Sequence, residues 1–464
     1  MDILEIFIYI LASIMIGLII SKKYIHKKYV YTFLSFSSSI FLIYLIFGHI
    51  RWQLYTFYVT YMMLSVIVYL IYTKRYEFTN LIKRILKITL TLLITIFLIS
   101  IFVFPVYEIP SPTGDYLIGT TSYMIEDDIR DELYTKDLSD HRKINIQMWY
   151  PASSLDGYQR YPWLEGGIKV SRGLSKDIGL PFFVLDHTAK TMSNSYDNAP
   201  ISDTLDTYPL IIISHGWRGF KNLHTDFAEE LASIGYIVIS IDHTYGSVAT
   251  VFEDEVAYLN ADALPDRDET PDFLDYANQL VYTYANDITT TIDYLEVLNE
   301  NDNSQFKGKI DLSTIGLLGH STGGGADVAA SLNDIRIDAM IGLDAWVEPI
   351  KETEIDKGLS IPSMFIRSQT WETGTNSETL NQLIDQSGYP SLLYQIEGTT
   401  HYDFTMVYMY SPLTKYIGFR GDIDSMYLNT ILKSMISEFF DQTLRDDPKD
   451  SIEIDDWPEV KQIT

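Results

Sequence analysis

Cysteine is absent from this chain, and histidine is scarce, with nine residues in 464. The first absence removes thiol nucleophiles, thiolate metal sites and disulfides together. The second narrows any search for a general base, because imidazole is the side chain that titrates near neutral pH. Positive charge is also short where a polyanion would need it. Residues 1–105 carry 10 Lys and Arg against 3 Asp and Glu, which leaves 24 basic and 59 acidic residues, a net charge of about −35, on the remainder. Such a surface repels nucleic acid, and no nucleic-acid partner is expected.

Long apolar runs, by contrast, are plentiful at the start. Residues 3–20 (ILEIFIYILASIMIGLII), 30–48 (VYTFLSFSSSIFLIYLIFG), 54–72 (LYTFYVTYMMLSVIVYLIY) and 88–104 (ITLTLLITIFLISIFVF) each approach the ~20 apolar residues that cross a bilayer as a helix. The pattern predicts an all-α transmembrane region of four helices over 1–105, with the bilayer as partner of residues 3–104. A secretory signal is the alternative for the first run, but its leading MDILE is acidic and no small-residue cleavage site follows. Basic residues in short loops stay on the cytoplasmic side. The first loop has Lys22, Lys23, Lys27 and Lys28, the third has Lys74, Arg75, Lys83, Arg84 and Lys87, and the second has only Arg51. That asymmetry predicts a multi-pass protein of the cell membrane whose N-terminus and residues 106–464 are extracytoplasmic.

After residue 105 the apolar spans give way to short β-branched runs alternating with helical stretches. KINIQMWYP (143–151), YPLIIISHG (208–216), GYIVISIDH (235–243), STIGLLG (313–319), IDAMIGLD (337–344), IPSMFIRSQ (361–369) and SLLYQIEG (391–398) read as strands. Helical spacing marks the segment after residue 221, the long run 276–300 and TGGGADVAASL (322–332). Strands alternating with helices predict an α/β domain over 106–464, a mostly parallel sheet flanked by helices. The stretch 249–275 is acidic, proline-punctuated and long for a connection. It is either a lid over a site or a surface excursion.

LLGHSTGGGAD (317–327) carries the first chemistry. Gly319 and Gly323 flank Ser321 two residues away on each side, His320 precedes it, a strand runs in and a small-residue helix runs out. A strand that turns this sharply into a helix leaves no room for side chains beside the serine and lifts its hydroxyl out of the sheet. The helix start offers backbone N–H groups and a positive dipole end to an oxyanion. A serine hydroxyl needs a base, and in this fold class an acid and then a histidine follow it along the chain. Only His401, in IEGTTHYDF, lies beyond Ser321. Asp344 closes a strand at the functional edge of a parallel sheet, whereas Asp338 begins that strand and Asp356 and Asp385 fall in helical or loop stretches. SHGWRGF (214–220) supplies the loop after an earlier strand. The backbone N–H of Trp217 is expected to join that of Thr322 in an oxyanion hole, with the Trp217 ring as an apolar wall. His215 reads as a structural histidine of the turn.

SHGWRGF, DFAEELASIGYIVISIDH, GHSTGG, LDAW, GTTHYDFT and GDIDS (421–425), in that order, resemble the platelet-activating factor acetylhydrolase family, which includes lipoprotein-associated phospholipase A2. The likeness runs over about residues 105–445 and leaves the apolar helices outside. It implies a calcium-independent serine esterase of α/β-hydrolase fold, acting on phospholipids with short or oxidised acyl chains. Ser321, Asp344 and His401 carry over as its triad, Trp217 and Thr322 as its oxyanion donors. Thr322 stands where the animal enzymes have phenylalanine, which alters the acyl pocket and leaves the backbone donor in place. No metal or cofactor is called for. GDIDS reads as a structural turn ahead of a helix. A general carboxylesterase or polyester hydrolase and an acyltransferase use the same triad, and a membrane sensor with a hydrolase-like ligand-binding domain is the alternative from another class. Oligomeric state is not legible in the sequence.

Overall fold

The computed structural model describes residues 3–21, 24–137, 139–371, 373–445 and 454–463. Lys22 and Lys23, two of the residues behind the expected orientation, lie outside the described residues. The chain divides into two compact units, Met1–Pro105 and Val106–Thr464.

The first unit consists of α1 (Ile3–Ser21), α2 (Lys27–Phe47), α3 (Tyr55–Tyr72) and α4 (Asn80–Val103). Among the described residues these four helices are long and apolar enough to cross a membrane. They pack around Ile8, Met15, Tyr44, Leu54, Tyr61 and Val68. Inside the bundle Arg51 lies 2.7 Å from Glu5, which also accepts from Tyr9 at 2.6 Å. Two helices start earlier than their apolar runs. Thr79 caps α4 by accepting from the N–H of Ile82, and His26 caps α2 by accepting from that of Lys28. Lys and Arg are good helix formers, so a capped helix extends through them. Lys83, Arg84 and Lys87, expected in the third loop, therefore lie in the opening turns of α4, and Lys27 and Lys28 in the first turn of α2.

The second unit is built on β1 (Leu117–Asp131), β2 (His141–Ala152), β3 (Arg160–Pro162), α5 (Ile168–Asp177), β4 (Met192–Asp197), β5 (Tyr208–Ser214), α6 (Thr225–Ser233) and β6 (Ile237–Asp242). It continues through β7 (Ala249–Val251), β8 (Val256–Tyr258), α7 (Phe273–Glu300), β9 (Ile310–His320), α8 (Thr322–Asn333), β10 (Ala339–Leu343) and α9 (Glu352–Ile355). β11 (Ser363–Ser368), α10 (Thr375–Gln386), β12 (Ser391–Ile396), α11 (Ser425–Leu444) and β13 (Val460–Gln462) complete it. Among the described residues eleven strands form one sheet in the order β13-β12-β11-β10-β9-β5-β6-β2-β1-β4-β3. The run from β12 to β6 is parallel throughout. β2 and β13 close it antiparallel at either side.

Side-chain alternation along a buried strand feeds both faces. In β5, Leu210 and Ile212 enter the core under α7 and α8, while Ile211 and Ile213 enter the core under α6 and α11. A sheet covered on both faces keeps its strand ends as the accessible edge, and that is where the polar constellation below collects. The 249–275 stretch opens with β7 and β8 paired as a small antiparallel sheet. Residues 253–255 and 266–269 in it are exposed. Arg267 pairs with Glu348 at 2.5 Å and so ties the stretch to the chain just past β10.

Candidate active site

Three parallel strands deliver the three expected residues to one edge. Ser321 follows β9 directly and is the N-cap of α8, with φ 55 and ψ −120. A non-glycine residue in that region of backbone space costs of order 1–3 kcal/mol and persists where surroundings enforce it. Here the glycines permit the approach. A Cβ on Gly323 would sit 2.2 Å from the carbonyl oxygen of Ser214, and one on Gly319 would sit 2.4 Å from Asp327 Oδ2. Asp344 follows β10, also at positive φ (43). His401 opens the turn after β12, where Thr400 and Asp403 cap each other reciprocally and Gly421 N–H donates to Asp403 at 2.7 Å.

His401 donates from Nδ1 to Asp344 Oδ2 at 2.9 Å. Asp344 also accepts from the N–H and the hydroxyl of Ser368, at the end of β11, each at 2.7 Å. Burial pushes the Asp344 carboxyl up, and the two Ser368 donors oppose it. Burial holds the His401 imidazole well below its usual range, so it is neutral near pH 7 and able to take a proton. Its side chain nevertheless keeps 21% of its surface exposed. The ring is covered on either side: Trp371 stacks with it at 4.1 Å between centroids, and His320 lies at 4.5 Å. His320 also donates from Nε2 to the carbonyl oxygen of His401 at 3.0 Å, which brings the residue before Ser321 against the histidine loop.

The loop after β5 lies against the serine. A Cβ on Gly216 would be 2.8 Å from Ser321 Cβ. Trp217 follows, half-buried against the core, and Thr322 is buried at the start of α8. Among the described residues neither backbone N–H, of Trp217 or of Thr322, has a hydrogen-bond acceptor. Trp217 is half-buried and the Thr322 N–H belongs to the first turn of α8, where no intrahelical acceptor exists, so both donors are free to meet an oxygen from outside. His215 is wholly buried, donating from Nδ1 to Gly216 O at 2.7 Å and accepting at Nε2 from Ser247 at 2.8 Å. It is the structural histidine expected of this turn.

Residues 101–462 match the family model described as platelet-activating factor acetylhydrolase, isoform II. The chain belongs to this family. Platelet-activating factor acetylhydrolase of Canis lupus familiaris is 26% identical over 341 residues, 68% of this chain and 73% of the relative. That of Gallus gallus is 24% identical over 357 residues, 68% and 79%. A probable 1-alkyl-2-acetylglycerophosphocholine esterase of Arthroderma benhamiae is 29% identical over 136 residues, 29% and 31%. These relatives are carboxylic ester hydrolases by name. Among solved structures, the ferulic acid esterase of Streptomyces cinnamoneus superposes with a TM-score of 0.63 at 21% identity, covering 77% of this chain and all of that one, a likeness of fold.

Within this acetylhydrolase-family chain, sequence reading overlooked Ser368 and Trp371. Ser368 had a signal, since it ends a parallel strand next to the one that Asp344 follows, and Leu343 pairs with Ile366 in register. Trp371 had none, because its stacking on His401 depends on how the loops after β11 and β12 meet. They meet through Gln369, whose N–H donates to Thr399 at 3.2 Å and whose side chain accepts from Gly398 N–H at 2.8 Å. In GDIDS, Asp424 caps α11 by accepting from Met426 and Tyr427 N–H, as expected of a structural turn.

Proposed function

We propose that this chain is a membrane-anchored serine esterase that hydrolyses short-acyl or oxidised phospholipid esters on the extracytoplasmic side. Ser321 is the nucleophile, His401 takes its proton and later returns one to the leaving alcohol, and Asp344 orients and stabilises the imidazolium. The N–H groups of Trp217 and Thr322 bind the oxyanion of each tetrahedral intermediate. The acyl group passes to Ser321 Oγ as the alcohol leaves, and water then releases it as the acid.

The observation that carries this reading is the 2.9 Å hydrogen bond from His401 to Asp344, at the strand edge where Ser321 is held at φ 55. The unpaired N–H groups of residues 217 and 322 support the oxyanion assignment. The names of the family's relatives support a short acyl group on a glycerophosphocholine. The four apolar helices and the basic residues at the starts of α2 and α4 support the anchor and its orientation.

A fluorophosphonate probe should label the wild-type chain and leave Ser321→Ala unlabelled, because only an activated serine reacts. Turnover of p-nitrophenyl esters should peak at about two to six carbons and fall several-fold by twelve. EDTA should leave activity unchanged, since N–H groups hold the oxyanion. A profile rising steadily to long chains, or activity abolished by EDTA, would overturn the substrate reading. Protease added to intact cells should remove residues 106–464; protection until lysis would overturn the orientation.

A further inference from the structure

In the first unit, α1 and α3 finish at the same end at which α2 and α4 begin. That end forms an open pocket of about 570 Å3, lined among the described residues by the exposed Lys27, Arg75 and Lys83, by one acid, the exposed Glu77, and by apolar residues such as Ile19 and Phe78. Among the described residues, none of the three cations has an ion-pair partner. Lys27 and Lys83 lie in the opening turns of α2 and α4, and neither first turn holds an acidic residue. A helix start carries roughly half a positive charge, and cations there are unfavourable unless something neutralises them. Two helix starts and three cations thus converge on one open pocket, with one carboxylate among its described lining residues. Basic residues set membrane orientation wherever in a loop they fall, so orientation alone does not require them to line a common pocket.

We propose that this pocket binds the phosphate of an anionic phospholipid headgroup. The phosphate oxygens accept from Lys27, Arg75 and Lys83, and the apolar lining receives the glycerol and the start of the acyl chains. The proposal rests on the reading of α1–α4 as membrane helices. The four helical spans, Ile3–Ser21, Lys27–Phe47, Trp52–Tyr72 and Asn80–Val103, hold 19 to 24 residues and measure about 28–36 Å at 1.5 Å per residue, the thickness of a bilayer's hydrocarbon core. Their ends, and the pocket between them, therefore fall at headgroup depth.

Resistance of the full chain to alkaline carbonate extraction from membranes tests the underlying reading, and release would overturn it together with the site. The full chain, purified in neutral detergent, is then titrated with fluorescent phosphatidylglycerol, competed by unlabelled phosphatidylglycerol, phosphatidylcholine of the same acyl chains, or inorganic phosphate. Phosphatidylglycerol should compete at least about tenfold better than phosphatidylcholine. The preference should vanish in the variant K27Q/R75Q/K83Q and survive in K74Q/R84Q/K87Q, which removes as much charge from the same end but none from the pocket wall. Glu77→Gln should tighten binding, a gain that misfolding does not produce. Equal competition by the two lipids would overturn the site, as would equal loss in both triple variants or unchanged binding in Glu77→Gln. Displacement by inorganic phosphate as efficient as by the lipid would overturn the assignment to a lipid.

Discussion

Two histidines of the second unit give Nδ1–H to a buried aspartate, His401 to Asp344 at 2.9 Å and His243 to Asp287 at 3.0 Å. The pairs match in geometry and differ in what surrounds the carboxylate. Asp344 is held by neutral donors, the N–H and hydroxyl of Ser368. Asp287 is held by Arg142, through Nε at 3.0 Å and a terminal nitrogen at 2.6 Å, and by Arg130 at 2.9 Å. Burial alone would raise the Asp287 carboxyl, but Arg142, His243 and Arg130 outweigh it and hold it well below the usual carboxylate range. Its charge is spent on two guanidiniums, whereas the hydrogen bonds Asp344 accepts besides that of His401 come from neutral groups, which suits the role proposed for it beside an imidazolium. The imidazoles differ likewise: His243 is wholly buried and stacked on Tyr284 at 3.8 Å, and His401 is partly open to solvent. A His–Asp hydrogen bond is therefore not by itself a catalytic signature; the catalytic role proposed for His401 and Asp344 rests also on the carboxylate's other partners and on the exposure of the imidazole.

The comparison breaks most readily at Asp344. Asp344→Asn should lower kcat/KM by about 10⁴-fold while leaving the unfolding midpoint close to wild type. Ser321→Ala should cost at least ~10³-fold, with the double variant little worse, because the residues act as a unit. Near-normal turnover in Asp344→Asn, measured by steady-state ester hydrolysis, would show that the acid has been misassigned.

Asp287→Asn should behave in the opposite sense. Leaving Arg142 buried without its full partner should cost about 3–5 kcal/mol of unfolding free energy in a urea titration, with turnover of the folded fraction changed only a few-fold. The same pair makes a pH prediction. A carboxyl whose folded pKa lies below its unfolded value of ~3.9 stabilises the fold above that value and loses the contribution as pH falls through the folded one. The stability gap between wild type and Asp287→Asn should thus be constant from neutral pH to about 4 and shrink below it. A gap that widened on acidification would contradict the depressed carboxyl. The smallest effect is expected at Ser368: Ser368→Ala removes one of two neutral donors to Asp344 and should lower kcat about tenfold, with KM little changed.

Much of this was legible in local pattern. The buried strands announce themselves by β-branched runs, and β5, β9 and β10 fall within a few residues of where periodicity puts them. β1 did not announce itself. Its inner half is buried, but from Met124 onward it runs out as MIEDDIRD with alternation lost to exposed acids, and only pairing with β2 keeps it extended. α4 was expected too short because hydropathy marks where a helix is greasy, whereas the cap at Thr79 marks where it begins.

The sequence by itself determined the class of the second unit and the glycine-flanked turn at Ser321, because turn sterics and side-chain alternation act between residues a few positions apart. It also determined the four apolar spans, since length and composition suffice for those. Tertiary structure alone decided that β5 lies between β6 and β9, that Ser368 serves Asp344 while Arg142 serves Asp287, and that Trp371 and His320 sandwich His401. Partners more than twenty residues apart are chosen by strand order and packing, and hydrophobic pattern, which repeats every two to four residues, carries no record of that choice.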